Sequence, residues 1–106
     1  MQDAWADIAL SERERLISDS VADGIVFTNR DTEGQGIQNL LKHIEDFQTQ
    51  FPGAYFRSSR LLVQHGQLLA EWTMLNKDGS EFLTAHSYAR FNDAGRFTHL
   101  AGFWTL

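Results

Sequence analysis

The chain has 106 residues, which is enough for one domain with a single hydrophobic core. Its net charge of -5 and its nine scattered basic residues argue against a nucleic-acid partner, because such binding draws most of its affinity from clustered Lys and Arg. The chain has no cysteine, which excludes disulfides, thiolate catalysis and cysteine metal sites. No stretch approaches the roughly 20 apolar residues of a membrane span, and the N-terminal residues lack the features of a signal peptide. We therefore expect a cytoplasmic domain with no membrane partner.

The first third of the chain predicts helices followed by one short strand. Apolar residues recur at helical spacing in residues 4–9 and again in residues 16–21, which predicts two short helices. Ser11 and Glu14 have the spacing of a capping box, so the second helix is expected to begin at Ser11. Residues 24–28 form a β-rich run that predicts an edge strand, and residues 29–34 predict a polar loop.

The rest of the chain predicts one long helix and a meander of strands. Apolar side chains from Ile37 to Phe51 recur at helical spacing, and Pro52-Gly53 ends the helix. Four strand-like runs follow, at residues 55–65, 68–76, 81–91 and 96–104. Glycine turns join them, because Gly and Asp tolerate the backbone angles of tight reversals. Helices gathered before one curved antiparallel sheet define the α+β class.

Several short sequence strings occur in an order that extends over nearly the whole chain. They are Ala4-Trp5, Val21-Ala22-Asp23-Gly24-Ile25-Val26-Phe27, Gly36, Phe51-Pro52-Gly53, His65-Gly66, Trp72, Asp78-Gly79, Phe91-Asn92-Asp93-Ala94-Gly95-Arg96 and Gly102-Phe103. Together they resemble the nuclear transport factor 2-like superfamily, especially its SnoaL-like polyketide cyclase and ketosteroid isomerase branch. The resemblance implies a single domain over residues 1–106.

The resemblance also implies a cone-shaped α+β fold. A strongly curved antiparallel sheet wraps around the long helix, and the N-terminal helices close an apolar cavity. Members commonly form homodimers through the outer face of the sheet, so a homodimer is implied for this chain. The superfamily includes isomerases, cyclases, dehydratases, epoxide hydrolases and members without known activity, so the resemblance predicts shape better than function.

The residues at the family's catalytic positions differ from those of the isomerases. The resemblance places a general base at Asn29 and a second carboxylic acid at Ser87, and it aligns an oxyanion-donating tyrosine with Trp5. An amide and an unactivated hydroxyl cannot accept a proton near neutral pH. The carboxylate chemistry of the isomerases and cyclases is therefore not expected here, and whether the chain is an enzyme stays open.

Other side chains are candidates for a displaced acid or base. His65 lies at a turn where the family often carries histidine, and Glu71 would have a raised pKa if its strand turned it into the cavity. The alternation of that strand leaves open whether Glu71 or Trp72 faces inward. His43 is expected to face solvent, and His86 to lie on the outer or dimer face. The spacing of the histidines favours no metal site, and no cofactor is predicted.

The alternation of the strand at residues 81–91 predicts part of the cavity lining. If Ser87 faces inward, Leu83, Ala85 and Ala89 face inward with it. The predicted ligand-binding residues are Trp5, Phe27, Asn29, Leu83, Ala85, Ser87, Leu100 and Trp104. Ordinary core packing also explains each aromatic residue of this set taken singly.

Three functions stay open at this point. The first is binding of a small hydrophobic molecule in the cone, oriented by Asn29, Ser87 and Trp5. The second is an isomerase, dehydratase or hydrolase that uses His65 or Glu71 on a hydrophobic substrate. The third is a dimeric interaction domain whose cone is filled by its own side chains.

Overall fold

The computed structural model describes residues 2–5 and 8–104 of the chain, with the backbone alone for residues 2 and 3. The described residues form a 3₁₀ helix at Gln2–Trp5, two α-helices and one six-stranded sheet. The elements are α1 (Leu10–Ser20), β1 (Val21–Thr28), β2 (Glu33–Gln35), α2 (Ile37–Gln50), β3 (Tyr55–Gln64), β4 (Gln67–Leu75), β5 (Glu81–Phe91) and β6 (Phe97–Phe103). No helix within the described residues has the length and hydropathy needed to cross a membrane.

The strands lie in the order β2-β1-β6-β5-β4-β3. The predicted meander of four antiparallel strands is confirmed as β3 to β6. The expectation of a wholly antiparallel sheet is wrong, because the sheet is mixed. The expectation that residues 24–28 form an edge strand is also wrong, because β1 lies inside the sheet. β1 runs parallel to β6 on one side. On its other side it pairs with β2, which begins within the predicted loop and places Gln35 opposite Val26. The edges of the sheet are therefore β2 and β3.

Irregular register bends the sheet at four places. The shifts fall in the pairings of β1 with β6, β3 with β4, β4 with β5 and β5 with β6. An extra residue in one strand bends that strand and increases its twist. In β3 the shift lies between Ser58 and Arg60, so Ser59 has no partner in the ladder. The bent sheet curves around α2, which contacts it through rings on β1 and β3.

The turn between β3 and β4 contains only His65 and Gly66. Their φ angles are 43° and 72°, which is the left-handed pair that a type I′ hairpin turn requires. Glycine adopts such an angle freely, whereas His65 adopts it at some cost. In the next two turns side-chain oxygens accept backbone hydrogen bonds, from Ser80 to Asp78 at 2.9 Å and from Arg96 to Asn92 at 3.0 Å. The predicted glycine turns are therefore confirmed.

The buried core lies where α1 and α2 pack on β1. Its least exposed large side chains are Ile17, Val21, Ile25, Leu40 and Ile44. The expectation that a capping box starts α1 at Ser11 is wrong. The helix begins at Leu10, with Ala9 as an N-cap that provides no side-chain hydrogen bond, and Ser11 lies inside the first turn.

Two polar side chains hold the N-terminal turn against this core. Arg13 is 5% exposed, and its Nε donates to the Ala4 carbonyl at 2.8 Å. Gln48 of α2 donates from Nε2 to the carbonyl oxygens of Trp5 at 2.6 Å and Ala54 at 2.9 Å. One amide thus joins the N-terminal turn to α2 and to the segment before β3, and it fixes the backbone of Trp5.

Replacing Gln48 with alanine is expected to lower the free energy of unfolding by about 2 kcal/mol, because it removes three partly buried hydrogen bonds. The third is accepted by Oε1 from the Gly53 amide at 3.1 Å. Urea denaturation measures the change. The neighbouring variant Thr49→Ala is the control, since its hydroxyl is exposed and bonds only within α2. An equal decrease in the free energy of unfolding in Gln48→Ala and Thr49→Ala would contradict the role of Gln48 in holding the N-terminal turn.

Candidate functional site

Half-buried aromatic rings collect where the N-terminal turn, α2, β3 and β4 meet. We call Trp5, His43, Phe47, Phe56 and Trp72 the aromatic cluster. Ring centroids lie 5.6 Å apart for Trp5 and Phe47, 5.3 Å for Phe47 and Phe56, and 4.9 Å for Phe56 and Trp72. Trp5 also meets the imidazole of His43 edge-on at 5.4 Å. Each ring is only half-buried, so the cluster packs against itself while part of its surface stays open.

Asn29, which follows β1, orients the imidazole of His43. Its Oδ1 accepts hydrogen bonds from the backbone amides of Asp31 at 2.9 Å and Thr32 at 2.8 Å. Its amide nitrogen lies 3.3 Å from Nε2 of His43. Because the amide oxygen is committed to two backbone donors, the NH₂ group faces the ring and Nε2 accepts from it. We therefore assign the proton of the neutral imidazole to Nδ1.

The surroundings of His43 favour its neutral form. The ring stacks on Phe27 at 5.5 Å and meets Trp5 edge-on. Burial lowers the pKa of His43, and the carboxylate of Asp46 opposes this with a smaller effect. A donor facing Nε2 also disfavours the imidazolium, because the charged ring would place an N–H against the Asn29 N–H. His43 is therefore neutral near pH 7.

A second polar contact joins β4 to β5. Nε1 of Trp72 donates to Oγ of Ser87 at 2.7 Å. Trp72 lies opposite Ala85, which is buried, whereas Glu71 lies opposite the exposed His86. Trp72 therefore takes the inward position that the sequence left open. The predicted facing of β5, with Ser87 inward and His86 outward, is confirmed.

Gly102 separates Ser87 from Asn29 on the inner face of the sheet. Ser87 pairs with Gly102 across β5 and β6, and a Cβ atom added to Gly102 would lie 3.7 Å from Cβ of Asn29. The same added atom would lie 3.1 Å from the ring of Trp104. The missing side chain at position 102 thus lets the Trp104 indole cover the backbone between the two polar groups.

Solved structures share this arrangement of elements with little sequence identity. A SnoaL-like family protein from Agrobacterium tumefaciens, described as a candidate isomerase, superposes with a TM-score of 0.92 at 21% identity, over 99% of this chain and 91% of its own. A candidate polyketide cyclase from Sinorhizobium meliloti superposes with a TM-score of 0.75 at 16% identity, over 95% of this chain and 91% of its own. An NTF2-like protein of unknown function from Exiguobacterium superposes with a TM-score of 0.77 at 20% identity, over 95% of this chain and 91% of its own. The chain has the nuclear transport factor 2-like (NTF2-like) fold. No protein-family model and no curated protein matches its sequence.

This structural similarity confirms the fold that the resemblance implies, with a curved sheet around a long helix. The fold brings the predicted ligand-binding residues to one face of the sheet and to the turn beside it. Four of them are half-buried at or next to the aromatic cluster, namely Trp5, Asn29, Ser87 and Trp104. The other four pack more deeply or against the sheet, with Phe27 and Ala85 buried and Leu83 and Leu100 half-buried.

The two predicted acid–base candidates lie away from the cluster in this NTF2-like domain. Glu71 is on the outer face, where its carboxylate accepts a hydrogen bond from the Ser59 hydroxyl at 2.8 Å and lies 3.4 Å from Nε2 of His86. His65 is exposed in the turn between β3 and β4. Neither side chain is placed to act inside the cone. Glu71 fails because Trp72 takes the inward position, and His65 fails because its hairpin turn leaves it exposed.

The expectation that His43 faces solvent is wrong. Its sequence neighbours Lys42 and Asp46 are exposed, and they suggest a polar helix face. His43 nevertheless stands three residues after Leu40 and four before Phe47, which are the spacings that bring side chains together on a helix. That spacing is the signal in the sequence that identifies His43 as part of the site.

Two surface depressions lie elsewhere on the NTF2-like domain. One of about 420 Å³ is lined by Gln50, Phe51, Pro52, Ala54 and residues 76–78. The other, of about 180 Å³, is on the outer face and is lined by Arg60, Leu62, Leu69, Glu71 and His86. Neither includes a member of the aromatic cluster, whose rings contact one another inside the cone.

Acidification is expected to destabilise the fold through His43. Because the folded state lowers the pKa of His43 below its ordinary value of 6.5, the unfolded chain binds more protons between those two values. The free energy of unfolding therefore falls as the pH drops from 6.5 towards the folded pKa. Thermal unfolding of the wild type and of His43→Gln at neutral pH and at about pH 5 measures the effect.

The variant His43→Gln cannot titrate, so it is expected to lose less stability on acidification than the wild type does. The matched control is His99→Gln, since His99 is exposed on the outer side of β6. This control is expected to keep the pH dependence of the wild type. An equal acid loss in His43→Gln and in the wild type would contradict the prediction.

Proposed function

We propose that the chain binds a small, planar hydrophobic molecule at the aromatic cluster. The observation that carries this proposal is the placement of three uncharged polar side chains, Asn29, His43 and Ser87, among half-buried rings. Sites for small molecules are typically apolar, with a few placed polar groups that fix the orientation of the ligand. The cluster has this composition, and its rings offer flat surfaces for a planar molecule.

These three polar groups lie apart from the apolar core. The buried core beside α1 is built almost wholly from aliphatic side chains and Phe27. A polar group in apolar surroundings costs free energy unless it is hydrogen-bonded. Asn29, His43 and Ser87 lie outside this core, where the rings stay partly open. That distribution supports a binding site over a region that serves packing only.

The same residues favour binding over acid–base catalysis. The resemblance implies carboxyl groups at the two catalytic positions, and this chain has Asn29 and Ser87 there. Both are engaged as hydrogen-bonding groups, and the alternative bases His65 and Glu71 lie away from the cluster. The candidate isomerase and the candidate cyclase share the fold, and a shared fold does not carry activity with it.

Binding is measurable because all three tryptophans of the chain lie at the proposed site. Trp5, Trp72 and Trp104 give three indole N–H signals in a nitrogen-15 correlation spectrum. Titration with 1-tetralone, a neutral bicyclic molecule, is expected to shift all three signals to saturation. Amide signals of the outer face serve as the internal reference. Absence of saturable shifts in the indole signals would overturn the proposed function.

Phe56→Leu is expected to weaken binding of 1-tetralone by about threefold to tenfold, because it removes ring contacts from the cluster. The control is Phe82→Leu, which changes an exposed ring that contacts Phe51 instead. Equal affinities of the two variants would contradict the location of the site.

We also propose that two copies associate through the outer face of the sheet. Three large apolar side chains are exposed there, with Leu62 at 49%, Leu69 at 45% and Phe103 at 60%. Leu62 and Leu69 are cross-strand partners, and Tyr88 continues their row on β5. An apolar surface of this kind is typical of a site of association, and the pair of Glu71 and His86 borders it.

Leu62→Lys is expected to weaken the dimer at least about tenfold, because each copy loses a leucine from the contact and gains a charge. The matched control is Leu61→Lys, since Leu61 is at least as exposed as Leu62 but its cross-strand partner is the inward-facing Ala70. Sedimentation velocity over a concentration series compares the two variants. A monomeric wild type, or an equally weakened dimer in both variants, would contradict association through the outer face.

A further inference from the structure

The hydrogen-bonding groups at the aromatic cluster are unbalanced between donors and acceptors. Oδ1 of Asn29 is committed to two backbone amides, and Nε2 of His43 accepts from the Asn29 NH₂ group. Oγ of Ser87 accepts from the indole of Trp72. These contacts use acceptors and leave donors, namely the second N–H of Asn29, Nδ1–H of His43 and the hydroxyl hydrogen of Ser87. The only acceptor site left among these side-chain groups is the second lone pair of Ser87 Oγ.

Among these three donor atoms, Nδ1 of His43 differs because the Asn29 nitrogen and the Ser87 oxygen already take part in one hydrogen bond each. Within the described residues no group accepts a hydrogen bond from it, and no buried side-chain nitrogen or oxygen there lacks a partner. The nitrogen must therefore be accessible from outside the fold. Because Phe27 and Trp5 hold the ring on two sides, the direction of this N–H is set before any ligand arrives.

The cluster carries no formal charge of its own. Its members are aromatic, and the polar groups beside it are an amide and a hydroxyl. Asp46, the acid whose charge reaches His43, is exposed on α2 and is ion-paired with Lys42 at 3.2 Å. A cationic ligand would meet no carboxylate among these side chains, and an anionic ligand would meet no lysine or arginine.

We infer that His43 is a specificity-determining residue, which donates its Nδ1–H to an uncharged acceptor such as a carbonyl oxygen on a planar hydrophobic ligand. This inference rests on the proposed binding function and adds the chemical class of the ligand to it. The rings supply apolar contact without choosing between ligands of similar shape. The fixed donor makes that choice, because a ligand without an acceptor leaves the N–H unpaired once water is displaced.

Three probes with one bicyclic skeleton test this choice, and the three indole signals report binding of each. They are 1-tetralone, which has a carbonyl acceptor, tetralin, which has none, and 1-aminotetralin, which is a cation near pH 7. The affinity ratio of 1-tetralone to tetralin is measured in the wild type and in His43→Phe, which keeps a ring between Phe27 and Trp5. We expect the ratio to be about threefold to tenfold larger in the wild type. We also expect 1-aminotetralin to bind the wild type more weakly than 1-tetralone does.

An unchanged ratio in His43→Phe, or tightest binding of 1-aminotetralin, would overturn the inference and leave the binding function standing. Failure of all three probes to shift the indole signals would overturn the binding function itself. The imidazole nitrogen-15 shifts of the unliganded wild type give a readout that needs no variant. They are expected to show the neutral Nδ1–H tautomer, and an Nε2–H tautomer or an imidazolium at neutral pH would overturn the inference.

Discussion

The side chain of Asn29 joins the backbone of the loop after β1 to the long helix. Its oxygen accepts from the amides of Asp31 and Thr32, and this leaves its nitrogen to face Nε2 of His43. The orientation of one amide therefore sets the tautomer of the imidazole, although the two residues lie 14 positions apart. Burial between Phe27 and Trp5 acts in the same direction, because it penalises the charged ring. The donor character of the aromatic cluster depends on this chain of contacts.

The position of the N-terminal turn is a second condition for the site. Trp5 touches His43, Phe47 and Phe56, so the cluster needs the turn to be held in place. A segment of four helical residues is too short to be stable alone, because helix formation has a costly nucleus. The hydrogen bonds from Arg13 and Gln48 supply what local structure cannot. The polar groups of α1 and α2 thus serve the site by fixing the backbone that carries its first ring.

Local pattern predicts the elements of this fold well and their partners less well. Gly66 and the turns at Asp78 and Asn92 mark the ends of β3 to β6, because each reversal needs specific backbone angles or side-chain oxygens. Alternation likewise divides β4 into two faces, yet it cannot tell whether Trp72 or Glu71 faces the helix. That choice depends on which side α2 covers, and the parallel pairing of β1 with β6 likewise depends on contacts distant in the sequence. For His43, polar neighbours concealed a helical spacing that the sequence did contain.

The residue at position 29 carries one of the chemical differences between this site and the one that the resemblance implies. A carboxylate there could accept from the same two backbone amides, but it would also present an anionic acceptor to His43. Such a partner favours an imidazolium and would turn the pair into an acid–base couple. The amide keeps the loop geometry and reverses the polarity of the contact, so that Nε2 becomes an acceptor and the ring stays neutral. A change of one functional group at position 29 therefore keeps the contacts to the two backbone amides and reverses the protonation state that the contact favours in His43.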